Sequence, residues 1–148
     1  RPNLGAGGGS DGANGPPTPD GRPAERNTDK MTKILVVDDA AFMRLRAVKL
    51  LAEAGYTVIE AENGRQAVEA YARERPDAVL MDITMPEMDG LEALAEIRKF
   101  DPTARVAMLT AMGQQSIVMD AIKRGARDFV VKPFSPDRVL GAVGKLLA

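Results

Sequence analysis

Apolar residues along positions 31–148 fall into five short runs, and helical spacing fills the stretches between them. The runs are Ile34–Val37, Tyr56–Ile59, Ala78–Met81, Val106–Leu109 and Phe129–Val131. Four of the runs are nearly continuous rather than alternating, which is typical of parallel strands covered on both faces. The pattern therefore predicts five β-strands. The first run is the most uniformly apolar and is expected at the centre of the sheet.

The stretches between the runs predict five helices. Helical spacing is carried by Ala41, Leu45, Val48 and Ala52, by Ala67, Ala70 and Tyr71, by Leu91, Leu94 and Ile97, by Ile117, Val118, Ala121 and Ile122, and by Val139, Leu140, Val143 and Leu146. Asn63, Asp89 and Ser135 are placed to cap the N-termini of helices. Gly55 and Gly125 are placed to end them.

Five strand–helix units joined by short links predict a parallel sheet between two layers of helices. A flavodoxin-like, doubly wound strand order of 2-1-3-4-5 satisfies right-handed crossovers and opens a crevice between strands 1 and 3. The order 3-2-1-4-5 is also compatible with the pattern. We therefore expect one α/β domain with five strands and five helices over residues 31–148.

Residues 1–30 differ in composition from the rest of the chain. They hold 7 of the 14 glycines and 5 of the 10 prolines, and Leu4 is their only bulky aliphatic residue. Such a segment cannot bury enough apolar surface to offset the entropy lost on ordering. We interpret it as a disordered leader or a cloning remnant, with a functional tether as the alternative. Its removal is expected to leave stability unchanged.

Composition excludes several classes of function. The net charge of −1 provides no basic field for nucleic acid. Because the chain has no histidine and no cysteine, it cannot use histidine or thiol catalysis, and any metal must be held by oxygen, which favours Mg²⁺. We find no membrane-length apolar run and no signal-peptide pattern. A cytoplasmic protein without membrane insertion is predicted.

Candidate site residues directly follow four of the five runs. Asp38 and Asp39 follow the first run, Asp82 the third, Thr110 the fourth and Lys132 the fifth. Open parallel sheets bind ligands at the carboxyl ends of their strands, so these side chains are expected at one edge. Each residue alone could be an ordinary turn, cap or surface residue. Three clustered acids would raise one another's pKa unless a cation is present, and this convergence favours a site.

The residue types suit phosphoryl chemistry. A carboxylate can attack a phosphoryl group and form an acyl phosphate. That reaction needs a metal, a further cation and a hydroxyl to stabilise the phosphoryl oxygens. Asp82 stands alone on its strand and is the predicted nucleophile. Asp38 and Asp39 would hold the metal, and Thr110 and Lys132 would approach from the far side.

The segments VVDDAAFMR, MDITMPEMDG, LTAMG and DFVVKPF resemble the receiver domain of bacterial two-component response regulators, and the likeness spans residues 31–148. AAFMR, DITMPEM and AMGQQ look most like stand-alone chemotaxis regulators of the CheY type. The resemblance implies that Asp82 is the phosphoacceptor. It also implies that Asp39, Asp82 and the backbone carbonyl of Thr84 bind Mg²⁺ directly, with Asp38 acting through water.

The same resemblance implies a switch. Thr110 and Lys132 would contact the phosphoryl group, and the bond from Lys132 to Pro133 would be cis. Phe129 stands where the family has its switch aromatic, although it could equally be a core side chain. Because the chain lacks histidine, the phosphoryl group must arrive from another molecule, either the phosphohistidine of a sensor histidine kinase, here a chemotaxis kinase, or a small acyl phosphate. Phosphorylation would then change the face formed by helix 4, strand 5 and helix 5, about residues 114–148.

The implied partner of that face is the flagellar motor switch protein, and a phosphatase is a further implied partner. The chain is expected to be a monomer. Thr84 and Met112 stand where the family tunes phosphoryl lifetime, and neither is a strong base, so an unusually short lifetime is not expected.

The alternative to a chemotaxis role is a carrier in a multistep phosphorelay, or control of a non-motility partner. An aspartyl-phosphate hydrolase is disfavoured because Asp38 and Asp39 lack the usual spacer. A flavin or nucleotide protein is disfavoured because no glycine-rich loop follows strand 1. No enzymatic turnover beyond self-catalysed phosphorylation and dephosphorylation is predicted.

Overall fold

The computed structural model describes residues 32–85, 88–111 and 113–148. The predictions for residues 1–30 and for Met112 lie outside these ranges. The elements in chain order are β1 (Lys33–Val37), α1 (Ala41–Glu53), β2 (Thr57–Ala61), α2 (Gly64–Glu74), β3 (Ala78–Asp82), α3 (Gly90–Phe100), β4 (Val106–Ala111), α4 (Gln115–Lys123), β5 (Asp128–Lys132) and α5 (Pro136–Leu147).

The five strands form one parallel sheet in the order β2-β1-β3-β4-β5. This confirms the flavodoxin-like order and excludes 3-2-1-4-5. The expectation that β1 lies at the centre is wrong, because β3 is the middle strand. β1 nevertheless has a neighbour on both sides and helices over both faces, which is enough to explain its continuous apolar sequence.

The helices lie on both faces of the sheet. Successive side chains of a strand point to opposite faces, so Ile34 and Val36 join one core cluster and Leu35 and Val37 join the other. The first cluster contains the buried residues of α1 and α5, and the second contains those of α2, α3 and α4. The chain is therefore doubly wound, with two helices on one face and three on the other.

The helical spacing that predicts α1 does not mark the face that α1 buries. Ala41, Leu45 and Ala52 are exposed, and the buried residues are Ala47 and Leu51. Apolar residues occur all around α1, so their spacing alone does not select the side that meets the sheet. Contact with the sheet and α5 decides which side is covered.

The predicted N-terminal caps are confirmed. Asn63 accepts a hydrogen bond from the Gln66 backbone N–H, and Ser135 accepts one from that of Arg138. Asp89 and Glu92 form a reciprocal capping box at α3. Among the residues that the structure covers, we find no helix with the length and apolar character needed to span a membrane.

Candidate functional site

The sheet places the three predicted acids together. Val37 and Met81 are paired across β1 and β3, so the next residues, Asp38 and Asp82, lie side by side where these two strands end. The Asp38 side chain is buried, Asp82 is 8% exposed and Asp39 is exposed. One carboxylate oxygen of each residue lies within 4.8 Å of the others. The strand ends therefore build a compact acidic cluster, as the sequence predicts.

Lys132 supplies the positive charge of this cluster. Its Nζ lies 2.8 Å from Asp38 Oδ2 and 3.3 Å from Asp82 Oδ2. Burial alone would lower the pKa of the Lys132 ammonium, but the ion pairs with Asp38 and Asp82 outweigh burial and raise it. The peptide bond to Pro133 is cis, in agreement with the expectation from the family resemblance. Lys132 is thus held as a cation between the two acids.

The surroundings of Asp82 disfavour the charged form of its carboxyl group. Burial raises its pKa to about 6, and repulsion from Asp38 and Asp39 adds to this effect. The nearby Lys132 ammonium opposes the rise without cancelling it. One cation is therefore too few for three acids, and the site favours the binding of further positive charge.

The donor set fits Mg²⁺, which prefers oxygen ligands. Asp38 Oδ1 accepts a hydrogen bond from the Ala40 backbone N–H at 2.9 Å. Asp38 Oδ2 is buried, and the donor beside it is the Lys132 ammonium, at 2.8 Å, which leaves one of its lone pairs free. A buried carboxylate oxygen with unused acceptor capacity is suited to a metal or to a metal-bound water. Direct ligation by Asp39, Asp82 and the Thr84 carbonyl stays a prediction.

The backbone beneath Asp82 is fixed by close packing. Gly90, the first residue of α3, donates its N–H to the Ile83 carbonyl at 2.7 Å. A Cβ at Gly90 would collide with the Asp82 carbonyl oxygen, so this approach requires glycine. Together with the capping box at Asp89, the contact sets the direction in which the chain leaves β3.

Thr110, at the end of β4, is buried beside a residue to which the sequence reasoning gave no role. Its hydroxyl donates to Gln114 Oε1 at 2.8 Å, and the Ala111 N–H donates to the same oxygen at 2.7 Å. Gln114 Nε2 reaches Thr84 Oγ1 at 3.4 Å. We call these contacts the Gln114 bridge. The AMGQQ segment contains this residue, but spacing could not reveal where its long side chain goes.

Arg44 is a second residue that the sequence reasoning missed. From α1, its Nη1 donates to the Asp38 carbonyl at 2.7 Å and its Nε to Glu60 Oε1 at 3.0 Å. The Arg44 side chain is only 13% exposed. The guanidinium therefore ties the loop after β1, which carries Asp38 and Asp39, to the neighbouring strand β2.

Phe129 lies on edge strand β5 and is 37% exposed. Beside it lies a cavity of ≈ 420 Å³, whose lining includes Thr110, Gln114 and Val118. Arg138 donates to the Phe129 backbone carbonyl at 2.6 Å, which fixes the strand at this point. Movement of Phe129 toward the cavity would therefore involve its side chain rather than its backbone. The predicted switch role stays a prediction, but Phe129 is not a buried core residue.

The fold and this site agree with a family comparison. Residues 34–144 match the family model described as the response regulator receiver domain. The chain therefore belongs to the family of response regulator receiver domains, and the resemblance predicted from the sequence motifs is confirmed.

Within this family the chain is similar to chemotaxis proteins. It is 60% identical over 116 residues to the chemotaxis protein CheY of Bacillus subtilis, covering 78% of this chain and 97% of that protein. It is 55% identical over 115 residues to CheY of Thermotoga maritima, covering 77% and 96%. A solved CheX–CheY–BeF3–Mg²⁺ complex from Borrelia burgdorferi matches with a TM-score of 0.75 and 36% identity, covering 79% of this chain and 90% of that chain.

Proposed function

We propose that this receiver domain is a chemotaxis switch that accepts a phosphoryl group on Asp82 from a histidine kinase, with Mg²⁺ as cofactor. The observation that carries the proposal is the cluster of Asp38, Asp39 and Asp82 around Lys132 at the carboxyl edge of the sheet. The similarity to CheY proteins supports the chemotaxis assignment. The chain would act in the cytoplasm as a monomer.

In the proposed reaction an Asp82 carboxylate oxygen bonds to phosphorus as the phosphorus–nitrogen bond of the donor's phosphohistidine breaks. The electron pair of the broken bond stays on the imidazole, which takes up one proton. Lys132 stabilises the phosphoryl oxygens by charge, and the Thr110 hydroxyl donates a hydrogen bond to one of them. Mg²⁺, held by Asp39, Asp82 and the Thr84 carbonyl, would supply additional positive charge to the phosphoryl group.

The first test is phosphoryl labelling of intact protein by acetyl phosphate with Mg²⁺, followed by mass spectrometry. The wild type should gain the mass of one phosphoryl group, and Asp82→Asn should gain none. Asp101→Asn, which removes a carboxylate of the same size outside the acidic cluster, is the matched control and should label like the wild type. Labelling of Asp82→Asn at the wild-type level would exclude Asp82 as the acceptor.

The same sample tests whether the chain is a switch or an enzyme. We propose that Asp82 is phosphorylated and dephosphorylated by self-catalysis only, with a phosphoryl lifetime longer than a few seconds at 25 °C. Multiple turnovers of a phosphate ester per chain would instead favour a hydrolase. Loss of the label within a few seconds would contradict the proposed lifetime.

The proposed output is binding of the flagellar motor switch protein by the α4–β5–α5 face. Met119, Ile122, Phe129 and Val131 give this face an exposed apolar surface. Adding about two negative charges at Asp82 would bias an existing equilibrium between two forms of the face. Binding of the motor switch protein should strengthen when beryllofluoride and Mg²⁺ are present. No strengthening, together with phosphoryl transfer to a histidine phosphotransfer protein, would favour the phosphorelay role. A phosphatase partner is compatible with either role.

A further inference from the structure

We propose that Gln114 is a positioning residue that keeps the Thr110 hydroxyl engaged until a phosphoryl group on Asp82 competes for it. The inference rests on the proposed function, because that group is the competitor. It also goes beyond that function, since it assigns the resting state to a side chain outside the acidic cluster.

The orientation of the Gln114 amide follows from its partners. The Ala111 backbone N–H can only donate, so the Gln114 atom that it meets at 2.7 Å is the carbonyl oxygen Oε1. An amide oxygen can only accept, so the Thr110 hydroxyl, 2.8 Å from the same oxygen, is the donor. A threonine has one hydroxyl proton. The Ala111 carbonyl also lies within reach of the hydroxyl, but at 3.2 Å it is the more distant acceptor. While the proton is engaged by Gln114 at 2.8 Å, it is not available to a phosphoryl oxygen.

Gln114 is placed where its side chain could cap the start of α4 instead of binding Thr110. Gln114 is the N-cap residue of α4, yet its side chain makes no capping bond to that helix. By contrast, the N-cap side chains of α2, α3 and α5 all accept a bond from their own first turn. The first turn of α4, like that of α1, therefore lacks the side-chain cap that α2, α3 and α5 have. Gln114 instead holds the end of β4.

The bridge also reaches the segment that follows Asp82. Gln114 Nε2 lies 3.4 Å from the hydroxyl of Thr84, two residues after Asp82. One amide therefore contacts the chain after β3 and the last two residues of β4. When Thr110 turns to a phosphoryl oxygen, Oε1 loses one of its two donors. The bridge is then weakened at the point where α4 begins.

Removing the bridge should make the phosphorylated form easier to reach. Gln114→Ala and the size-matched Gln114→Met remove the nearer acceptor, so the Thr110 hydroxyl keeps only its longer contact to the Ala111 carbonyl, at 3.2 Å. The matched control is Gln115→Ala, because Gln115 is the next residue, is exposed and begins the same helix. Beryllofluoride with saturating Mg²⁺ is the phosphoryl analogue used as the probe.

We expect both Gln114 variants to bind beryllofluoride about tenfold more tightly than the wild type, as removal of a competing hydrogen bond implies. Gln115→Ala should match the wild type. Mg²⁺ affinity without beryllofluoride should be unchanged in all three variants, because Gln114 touches none of the acids and its contact with Thr84 is to the hydroxyl, not to the carbonyl proposed to bind Mg²⁺. A general loosening of the fold would lower that affinity as well, so this readout separates positioning from a structural effect.

Amide NMR spectra without ligand provide a direct check. The Ala111 resonance should shift in both Gln114 variants and stay in place in Gln115→Ala. Tight beryllofluoride binding by the wild type with no gain in either Gln114 variant would overturn the role of Gln114 and leave the proposed function intact. Failure of the wild type to bind beryllofluoride would overturn both.

Discussion

Two aspartates of this chain, Asp82 and Asp101, lie in opposite electrostatic environments. Asp101 ends α3, at the edge of the sheet away from the acidic cluster. Its Oδ2 accepts a bond from the Tyr71 hydroxyl at 2.8 Å, and its Oδ1 accepts bonds from the Thr103 hydroxyl and backbone N–H. These donors lower the pKa of Asp101, with the Thr103 hydroxyl as the largest cause.

Asp82 has the reverse arrangement. Burial and two neighbouring carboxylates raise its pKa to about 6, and Lys132 is its cationic partner. The comparison teaches that burial or hydrogen bonding, rather than residue type, decides what a carboxylate does. Asp101 has the donors it needs and stabilises the fold. Asp82 lacks sufficient positive charge and is suited to binding it.

The largest expected effect is that Asp82→Asn and Asp101→Asn change the free energy of unfolding in opposite directions. Without metal at neutral pH, Asp82→Asn should raise the free energy of unfolding by about 1–2 kcal/mol, because it removes a disfavoured charge whose penalty is reduced by partial solvent screening. Asp101→Asn should lower it by about 1 kcal/mol through lost hydrogen bonds. Urea denaturation of both variants in chelator-treated buffer measures the changes. If both variants were destabilised, the contrast between the two sites would be wrong.

The pH dependence of these differences sharpens the same contrast. Asp82 keeps its proton up to about pH 6 in the fold but only to about pH 3.9 when unfolded. The folded chain therefore binds more protons in this interval, and the wild type should lose stability relative to Asp82→Asn as pH rises from about 4 to about 6. The Asp101 contribution should be present above its unfolded pKa and should disappear as pH falls below about 4. The measurement is a series of metal-free denaturation curves. A constant gap between wild type and Asp82→Asn over pH 4–6 would contradict the first assignment.

Addition of Mg²⁺ should also distinguish the two sites, through a somewhat smaller difference in the stabilisation that each variant gains. At a free concentration ten times its Kd, Mg²⁺ should stabilise the wild type by about 1.4 kcal/mol, or roughly 5 °C in Tm. Asp101→Asn should gain the same increment, because Asp101 lies outside the cluster. Asp82→Asn should gain much less. Thermal melts with Mg²⁺ and with an equal ionic strength of Na⁺ test this, and equal gains in all three proteins would argue against the site.

The smallest expected effect concerns the support of the acidic cluster by Arg44. Arg44→Lys keeps the charge but cannot contact the Asp38 carbonyl and Glu60 with the same planar fork. We expect the Kd for Mg²⁺ to rise about threefold, as for the partial loss of one hydrogen bond. Arg46→Lys, on the same helix, is the control and should leave the Kd unchanged. Titration calorimetry measures both, and identical values would remove Arg44 from the site.

Much of the site could be predicted from the sequence because backbone geometry decides it. Asp38, Asp82 and Lys132 each come at or directly after the end of an apolar run, and parallel strands bring such positions to one edge. The caps at Asn63 and Asp89 depend on contacts within four residues of chain. These signals are local or follow from topology, so spacing along the chain contains them.

The parts that could not be predicted depend on where individual side chains turn in space. Gln114 and Arg44 are long, flexible residues whose partners lie on other elements, and no pattern fixes their rotamers. The buried side of α1 could not be predicted for a related reason. Phe42 and Leu45 are apolar yet exposed, and the packed structure alone distinguishes them from the buried Leu51.

The pairing of Val37 with Met81 sets the distance between the backbones of the two acids that follow them, Asp38 and Asp82. The separation of Asp38 and Asp82 at their backbones is inherited from the spacing of neighbouring strands, about 4.8 Å in any β-sheet. Substitutions on the helices can alter partners or rates without changing that separation. The acidic cluster and the surfaces around it can therefore vary in sequence independently of one another.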